Sequence, residues 1–391
     1  MNSCRFVVAR SCLFSIALLA LLGIQAPGQT ETILHSFGKG TDGQTPLAGL
    51  VRDTKGNLYG TTANGGTYTQ GTVFKVTPSG TETILYSFDP NAGTEETYAG
   101  LVRDTKGNVY GTTIGLGCGT VFELTASGTE TTLYTFLLDG TDACFPTAGV
   151  VRDTKGNLYG TTGFGGVNSC GNENCGTVFE FTPSGKEMIL HNFDNNGTDG
   201  FYPLAGLVRD TKGNLYGTTS QGGSHDRGTV FELTPSGTET ILHSFNKNAT
   251  DGYFASAGLV LDTKGNLYGT TQLGGAHDEG TVFKLTPTGK ETILHSFGEG
   301  KDGTTPLAGL IFDTEGNLYG TTATGGTYNL GTVFKLTPSG TETILHSFGE
   351  NPTTDGYYPG AALVLDTEGN LYGTTELGGK YVYGTVFKVT P

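Results

Sequence analysis

A ten-residue block, D-T-[KE]-G-N-[LV]-Y-G-T-T, recurs seven times along the chain and constrains its fold more than any other feature. Its copies begin at Asp53, Asp104, Asp153, Asp210, Asp262, Asp313 and Asp366, at spacings of 49 to 57 residues. A G-T-V-F block and a block resembling E-T-I-L-H-S-F also recur seven times each. Repetition at this period is typical of arrays in which each copy forms one supersecondary unit.

Each unit contains four short segments with the pattern of β-strands. In the first unit, residues 48–52, 57–62, 71–77 and 81–88 are predicted as strands A, B, C and D. The turns between them (DTKG and PSG) contain residues that tight turns favour, and no stretch has the periodicity of an amphipathic helix. Four antiparallel strands per unit predict an all-β, seven-bladed β-propeller. A β-solenoid is the less favoured alternative, because its coils are usually shorter.

The order of the blocks at the two ends predicts how the ring closes. Residues 30–37 form a lone strand D, and the last unit ends on strand C at residues 384–390. We therefore expect the N-terminal strand to close the last blade, which would remove an exposed sheet edge. Each strand A begins with Ala-Gly or Ala-Ala, small residues that suit crowded innermost strands.

The first residues have the form of a signal peptide. Arg5 and Arg10 give a positive start, and residues 12–24 form an apolar run too short to span a bilayer comfortably. We predict a signal peptide at residues 1–28, a propeller domain at residues 29–391, and a secreted or periplasmic location. The cysteines that remain after cleavage are Cys118, Cys144, Cys170 and Cys175. In an exported chain they predict two disulfides, one within the Cys170–Cys175 loop and one between Cys118 and Cys144.

The net charge disfavours several classes of binding partner, and the sequence lacks the motifs of common catalytic and metal sites. The formal net charge of −15 disfavours nucleic acid and anionic lipid as partners. We therefore expect no nucleic acid partner, no membrane association after signal cleavage, and a monomer. The sequence has no nucleophile elbow, phosphate loop or zinc-type cysteine pair, so no catalytic residue, cofactor or metal is predicted.

The B–C and D–A loops are predicted to share one face, called here the loop face. They vary between units, and insertions on one face of a repeat protein often mark its binding face. Their aromatic side chains suit stacking on sugars or peptides, although such rings can also pack beneath their own loops. The candidate ligand-binding residues are Tyr68, Tyr98, Phe201, Tyr202, His225, Tyr253, Phe254, His277, Tyr328, Tyr357, Tyr358 and Tyr381.

Two repeated polar positions raise the question of a metal site. An aspartate precedes glycine in five D–A loops, at Asp42, Asp199, Asp251, Asp302 and Asp355. A histidine occupies one strand-D position, at His35, His191, His243, His295 and His346. One acid per unit is few for Ca²⁺, so an Asx-turn is the favoured interpretation of the aspartates. The histidines fall one per blade, too far apart to share a metal, and are predicted to be structural.

The whole unit, D-T-K-G-N-L-Y-G-T-T followed by G-T-V-F-K-L-T-P-S-G-T-E-T-I-L-H-S-F, resembles the GloVer tandem repeat of exported bacterial proteins with alternative C-terminal anchors. The resemblance covers about residues 30–391. The layout is also similar to NHL-type propeller repeats, in which a D-x-x-G-N-[IL]-Y turn joins the first two strands. The resemblance implies export and a propeller fold, and it implies no activity. Because Pro391 follows strand C without a sorting tail, we expect a free rather than an anchored protein.

The favoured function is a secreted, non-catalytic binding or interaction propeller, with a carbohydrate or protein ligand on the loop face. The alternative is an extracellular carbohydrate-active enzyme, a hydrolase or lyase that uses carboxylates of that face. A purely structural surface protein is a third hypothesis. Carboxylates that converge on the central channel would favour the enzyme.

Overall fold

The computed structural model describes residues 30–92, 96–115, 117–137, 139–171, 173–248, 250–351 and 354–391. The predicted signal peptide therefore lies outside the described residues. The chain forms seven four-stranded antiparallel sheets with the strand order A-B-C-D, each contacting the next around a ring. The all-β, seven-bladed β-propeller predicted from the repeat is confirmed. In the described part of the chain, no helix has the length and apolar character needed to cross a membrane.

The blades are numbered 1 to 7 by their strands A. Strands A are Val51–Arg52, Val102–Arg103, Val151–Arg152, Val208–Arg209, Val260–Leu261, Ile311–Phe312 and Val364–Leu365. Strands B are Leu58–Thr62, Val109–Thr113, Leu158–Thr162, Leu215–Thr219, Leu267–Thr271, Leu318–Thr322 and Leu371–Thr375. Strands C are Thr72–Val76, Thr120–Leu124, Thr177–Phe181, Thr229–Leu233, Thr281–Leu285, Thr332–Leu336 and Thr385–Thr390. Strands D of blades 1 to 6 are Glu82–Ser87, Glu130–Thr135, Glu187–Asn192, Glu239–Ser244, Glu291–Ser296 and Glu342–Ser347, and strand D of blade 7 is Thr30–Ser36.

Shorter elements lie in the loops. Six two-residue ladders join a D–A loop to the following B–C loop: Gly43–Gln44 with Asn64–Gly65, Ala143–Cys144 with Phe164–Gly165, Gly200–Phe201 with Gln221–Gly222, Gly252–Tyr253 with Leu273–Gly274, Gly303–Thr304 with Thr324–Gly325, and Gly356–Tyr357 with Leu377–Gly378. A further ladder pairs Ser169–Cys170 with Glu173–Asn174, and Pro90–Ala92 is a 3₁₀ helix. These ladders place the B–C and D–A loops together on one face, as predicted.

The ring closes through the two ends of the chain. Thr30–Ser36 pairs antiparallel with Thr385–Thr390, with Thr30 opposite Thr390 and Ser36 opposite Thr385. Blade 7 therefore has four strands although no strand D follows its strand C in the sequence. The predicted closure is confirmed.

Strand A is shorter than predicted. The first unit predicts residues 48–52, whereas only Val51–Arg52 pairs with strand B. The carbonyl of Ala48 instead accepts a hydrogen bond from the hydroxyl of Thr374 in blade 7, at 3.2 Å. The first half of the segment thus bonds to the neighbouring blade.

The same hydrogen bond recurs at each junction between blades. A buried strand-B threonine donates to an alanine carbonyl that precedes strand A of the next blade, over 2.8 to 3.2 Å. The donors are Thr61, Thr112, Thr161, Thr218, Thr270, Thr321 and Thr374. Close approach here requires small residues: a Cβ at Gly149 would lie 2.5 Å from the carbonyl oxygen of Gly100.

The hydrophobic core is divided among the junctions. A phenylalanine just after each strand D packs edge-to-face against the strand-C phenylalanine of the next blade, with ring centroids 4.9 to 5.5 Å apart. Phe348 with Phe387 and Phe37 with Phe74 make this contact on the two sides of blade 7. Blade 7 is therefore packed like the others, despite being assembled from distant segments.

Candidate binding site on the loop face

The backbone of each D–A loop is held firmly on the loop face. In six of the seven D–A loops, one described residue about six positions before strand A has a positive φ, and these residues are Thr45, Phe145, Tyr202, Phe254, Thr305 and Tyr358, with φ between 55° and 60°. This conformation is uncommon for residues other than glycine. Hydrogen bonds hold it: the N–H of Tyr202 donates to the carbonyl of Cys175 in the preceding blade, at 3.0 Å. The side chain at this position is therefore presented on a rigid scaffold.

Three blades place their loop side chains around one shallow groove. The groove has a volume of about 340 Å³ and spans blades 3 to 5. It is lined by Phe164, Tyr202, Leu204, Ser220, Gln221, Phe254, Ser256 and Gln272. Two of these residues, Tyr202 and Phe254, are among the sequence-predicted ligand-binding residues.

An arc of three aromatic rings, Phe145, Phe164 and Tyr202, runs along one side of this groove, and the last two of them line it. The rings of Phe145 and Phe164 meet edge-to-face with centroids 5.5 Å apart, and those of Phe164 and Tyr202 do so at 5.3 Å. The equivalent D–A positions in blades 1 and 6 are Thr45 and Thr305. Aromatic side chains therefore occupy this position in the consecutive blades 3, 4 and 5, and again in blade 7 as Tyr358.

Apart from the aromatic rings and the exposed side chain of Leu204, the groove is polar and carries no formal charge. Gln272 donates from its side-chain amide to the hydroxyl of Ser256. Ser220 donates to the carbonyl of Tyr202 at 3.0 Å, and the Tyr202 hydroxyl donates to the carbonyl of Cys170 at 3.2 Å. No carboxylate, histidine, lysine or arginine is among the described lining residues. The groove therefore suits a neutral, polar ligand with an apolar face.

Both disulfides lie on this face, with the pairings that the sequence predicts. Cys118 is bonded to Cys144, and Cys170 is bonded to Cys175. The first bond links the B–C loop of blade 2 to the D–A loop that leads into blade 3. The second closes the B–C loop of blade 3, against which Tyr202 is hydrogen-bonded. The backbone beneath the aromatic arc is therefore cross-linked.

Other predicted residues lie outside this groove. Five occupy one equivalent position at the tips of B–C loops: Tyr68, His225, His277, Tyr328 and Tyr381. These tips are tied to the outermost strand of their own blade, as when the N–H of Thr67 donates to the hydroxyl of Ser87. Tyr328 and Tyr381 line two separate grooves. These five residues are therefore distributed around the rim of the loop face and do not form one site.

The remaining predicted residues differ in exposure. Phe201 and Tyr253 are buried, at 5% and 4% exposure, and support the loops from beneath. Tyr357 is half-buried, and the centroid of its ring lies 6.0 Å from that of the exposed Tyr358 ring. Tyr98 is exposed and donates its hydroxyl to Glu96 at 2.8 Å. Partial burial and this carboxylate raise the pKa of Tyr98 to about 12.

The polar rim of the groove was not predicted from the sequence. Ser220 and Gln272 occupy the position that is Ala63, Ile114, Gly163, Ala323 or Glu376 in the other units. Because this position varies, no sequence signal distinguishes them. Gln221 and Ser256 also lie at positions that differ among the units, so the repeat does not identify them.

Residues able to hold a metal lie at the outer junctions between blades. Five clusters combine a strand-D histidine, the D–A loop aspartate that follows it, and a strand-D glutamate of the next blade. They are His35–Asp42–Glu82, His191–Asp199–Glu239, His243–Asp251–Glu291, His295–Asp302–Glu342 and His346–Asp355–Glu31. In each cluster, one nitrogen or oxygen atom from each residue lies within 4.8 Å of the others.

The repeated aspartates have two sets of neighbours. Their carboxylates accept hydrogen bonds from backbone N–H groups of their own loops, as Asp251 does from Asn246 and Gly252. Their side chains are also only 5–9% exposed and lie beside the histidine and glutamate, which a surface Asx-turn does not require. The histidines do fall one per blade, as expected, but each has two carboxylates beside it. Burial and the nearby carboxylate of Asp355 raise the pKa of Glu31 to about 9. Burial likewise raises the pKa of Glu239 to about 7.

Comparison with known sequences identifies one family. The Gloeobacter/Verrucomicrobia repeat family matches residues 20–172 and 165–387, which together span nearly the whole chain. No curated protein matches the sequence.

Solved structures with the same fold are distant in sequence. A streptogramin B lyase matches 93% of this chain and 97% of its own, with a TM-score of 0.61 and 12% identity. Virginiamycin B lyase from Staphylococcus aureus matches 93% and 99%, with a TM-score of 0.60 and 15% identity. The extracellular domain of a hybrid two-component system from B. thetaiotaomicron matches 92% of this chain and 39% of its own, with a TM-score of 0.60 and 12% identity. At such identities the similarity is one of fold.

Proposed function

Because this chain belongs to the Gloeobacter/Verrucomicrobia repeat family, we propose that its function resides where its repeats differ from one another, on the loop face. The function is binding of an oligosaccharide, without catalysis, in the groove across blades 3 to 5. The observation that carries this proposal is a groove that combines an aromatic wall with an uncharged rim of amides and hydroxyls.

The lining matches the chemistry of a sugar ring. The apolar C–H face of a pyranose can stack on Tyr202, Phe254 or Phe164, while Gln221 and Gln272 offer donors and acceptors to its hydroxyls. Apolar lining with a few placed polar groups is typical of ligand sites. A rigid backbone lowers the entropic cost of binding, and the disulfides supply that rigidity here.

The same lining argues against the carbohydrate-active enzyme. Cleavage of a glycosidic bond ordinarily uses two carboxyl groups that flank the bond. The described residues of the groove contribute none. The carboxylates that cluster with histidines in the described part of the chain lie at the outer junctions between blades, and none of them lines this groove.

The proposed location is secreted or periplasmic. Two disulfides on the loop face favour an oxidising compartment, since they would be reduced in the cytosol. The extracellular setting of one structurally similar propeller domain is consistent with this proposal.

A glycan array probed with the purified protein tests the proposal. We expect binding to a restricted set of neutral oligosaccharides. Phe254→Ala removes one stacking surface and should weaken the best of these about ten-fold, which corresponds to about 1.4 kcal/mol. Isothermal titration calorimetry with the selected oligosaccharide measures the change.

Thr305→Ala is the matched control. Thr305 occupies the same D–A position in blade 6 and has the same positive φ, but it lies outside the groove. We expect its affinity to equal that of the unmodified protein. Absence of any glycan binding, or equal losses in the two variants, would refute the proposed site.

A further inference from the structure

Three of the five junction clusters differ from the other two in their spacing. In the clusters at His35 and His295, the histidine Nε2 lies 2.9 Å from an aspartate oxygen, as in a direct hydrogen bond. In the other three, Nε2 lies 3.3 to 3.8 Å from both carboxylates, and among them His191 still forms a longer hydrogen bond with Asp199, over 3.3 Å. A tetrahedral Zn²⁺ with metal–ligand bonds of about 2.0–2.2 Å holds its ligand atoms about 3.3–3.6 Å apart. The three open clusters therefore have approximately the spacing of a metal site.

A buried glutamate Oε1 lacks a hydrogen-bond partner in all five clusters, but in the open clusters a described histidine or aspartate atom lacks one as well. At the junction of blades 6 and 7, His346 Nε2, Asp355 Oδ1 and Glu31 Oε1 all lack a hydrogen-bond partner, and Asp355 is 5% exposed. At the junction of blades 3 and 4, Asp199 Oδ1 and Glu239 Oε1 lack one, and Asp199 is 7% exposed.

The third open cluster lies at the junction of blades 4 and 5. There His243 Nε2 and Glu291 Oε1 lack a partner. Buried polar atoms are almost always bonded, so unsatisfied atoms that converge on one point indicate a missing partner.

We propose that these three clusters, His191–Asp199–Glu239, His243–Asp251–Glu291 and His346–Asp355–Glu31, are binding sites for a divalent transition-metal cation such as Zn²⁺. One imidazole nitrogen and two carboxylate oxygens are a donor set that Zn²⁺ accepts, with water as a fourth ligand. The imidazole disfavours Ca²⁺ and Mg²⁺, which prefer oxygen ligands throughout. The cation would offset the repulsion between two buried carboxylates.

Each site would join two blades. The histidine and aspartate belong to one blade and its outgoing loop, and the glutamate belongs to the next blade. At the junction of blades 6 and 7 the glutamate is Glu31, which lies in the N-terminal strand that closes the ring. A cation there would fasten that strand to blade 6, so its role would be structural.

The chain itself supplies a matched variant. At the junction of blades 2 and 3 the histidine is replaced by Tyr134, whose hydroxyl donates to Asp142 at 3.0 Å beside Glu187. Tyrosine thus fits the same surroundings and satisfies the aspartate without a cation. Replacement of His191, His243 and His346 by tyrosine should preserve the fold and remove the metal ligand.

Titration of the purified, chelator-treated protein with Zn²⁺ alone is the test. Calorimetry should detect about three equivalents, and Zn²⁺ should raise the Tm, because a ligand that binds only the folded state stabilises it. The triple variant His191→Tyr, His243→Tyr, His346→Tyr should lose these equivalents and the rise in Tm. The variant His225→Ala, His277→Ala removes two exposed loop-tip histidines and should bind as the unmodified protein does.

Two results would overturn the proposal: no saturable Zn²⁺ binding, or unchanged stoichiometry in the triple variant. If the triple variant fails to fold, the single variant His346→Tyr should lose one equivalent. X-ray absorption of the zinc-loaded protein should show nitrogen and oxygen neighbours. Sulfur neighbours would instead place the metal on cysteines and refute the three sites.

Discussion

At the scale of single residues, the first threonine of each Y-G-T-T block in strand B contributes to the contact between neighbouring blades. Thr161 is 1% exposed, and its hydroxyl donates to the carbonyl of Ala205 in the next blade at 2.8 Å. This threonine is present in every Y-G-T-T block, where nothing in the sequence distinguishes it from an ordinary strand residue. Its partner lies in another unit, so the contact becomes visible only in the closed ring.

Thr161→Val should therefore destabilise the protein. Valine keeps the shape of the side chain but removes the donor to a buried carbonyl, at a cost of about 1–3 kcal/mol. Urea denaturation measures the loss in the free energy of unfolding. Thr83→Val, on the exposed side of a strand D, is the control and should change stability by less than about 0.5 kcal/mol. Equal effects of the two substitutions would contradict the role of this hydrogen bond.

At the scale of elements, the A–B turn is a self-contained unit that the sequence predicts well. The carboxylate of Asp53 accepts hydrogen bonds from the N–H groups of Lys55 and Asn57, the Asn57 side chain and the Tyr59 hydroxyl. Burial alone would raise the pKa of Asp53, but these hydrogen bonds outweigh it and lower the pKa below its usual range. The pKa is lowered in the same way in three other copies: Asp262, Asp313 and Asp366.

These turns predict a loss of stability in acid. Because the folded chain binds protons at these carboxylates less readily than the unfolded chain, they stabilise the fold above about pH 4 and lose that contribution as the pH falls. Replacement of all four aspartates by asparagine should lower stability at neutral pH and flatten its decline between about pH 4 and pH 2. Urea titrations at each pH measure this slope. The exposed Glu299→Gln should leave the slope as it is, and a steep decline in the fourfold variant would refute the prediction.

At the scale of the whole molecule, stability depends on ring closure. The core is a series of junctions between blades, and each junction is made by the same phenylalanine pair and the same threonine hydrogen bond. Blade 7 completes two of these junctions, and its outermost strand comes from the other end of the chain. An open ring would expose a sheet edge and the buried face of a blade.

Removal of residues 30–36 should therefore lower the Tm sharply and promote aggregation through the exposed strand Thr385–Thr390. Differential scanning calorimetry and light scattering measure the two effects. A chain that begins at residue 29 keeps the strand and serves as the control. An unchanged melting curve for the shortened chain would show that closure contributes nothing to stability.

The sequence alone determined the fold, because seven copies of a four-strand unit with complementary ends can bury their faces only by closing on themselves. It also determined the two disulfide pairings and the face on which the loops lie. Tertiary structure decided which residues meet. It gathered Tyr202 and Phe254 into one groove, buried Phe201 and Tyr253, and spread the loop-tip residues around the rim.

The junction clusters show the same division. His346 and Asp355 lie nine residues apart in the sequence, but their third member, Glu31, lies at the other end of the chain. Within a unit, spacing and period reveal which residues are neighbours. Across a junction, contact depends on the angle and stagger between two blades, which the sequence of one unit does not contain. For this reason the sequence predicts that the histidines are isolated structural residues. The tertiary structure places a glutamate of the neighbouring blade beside each of them.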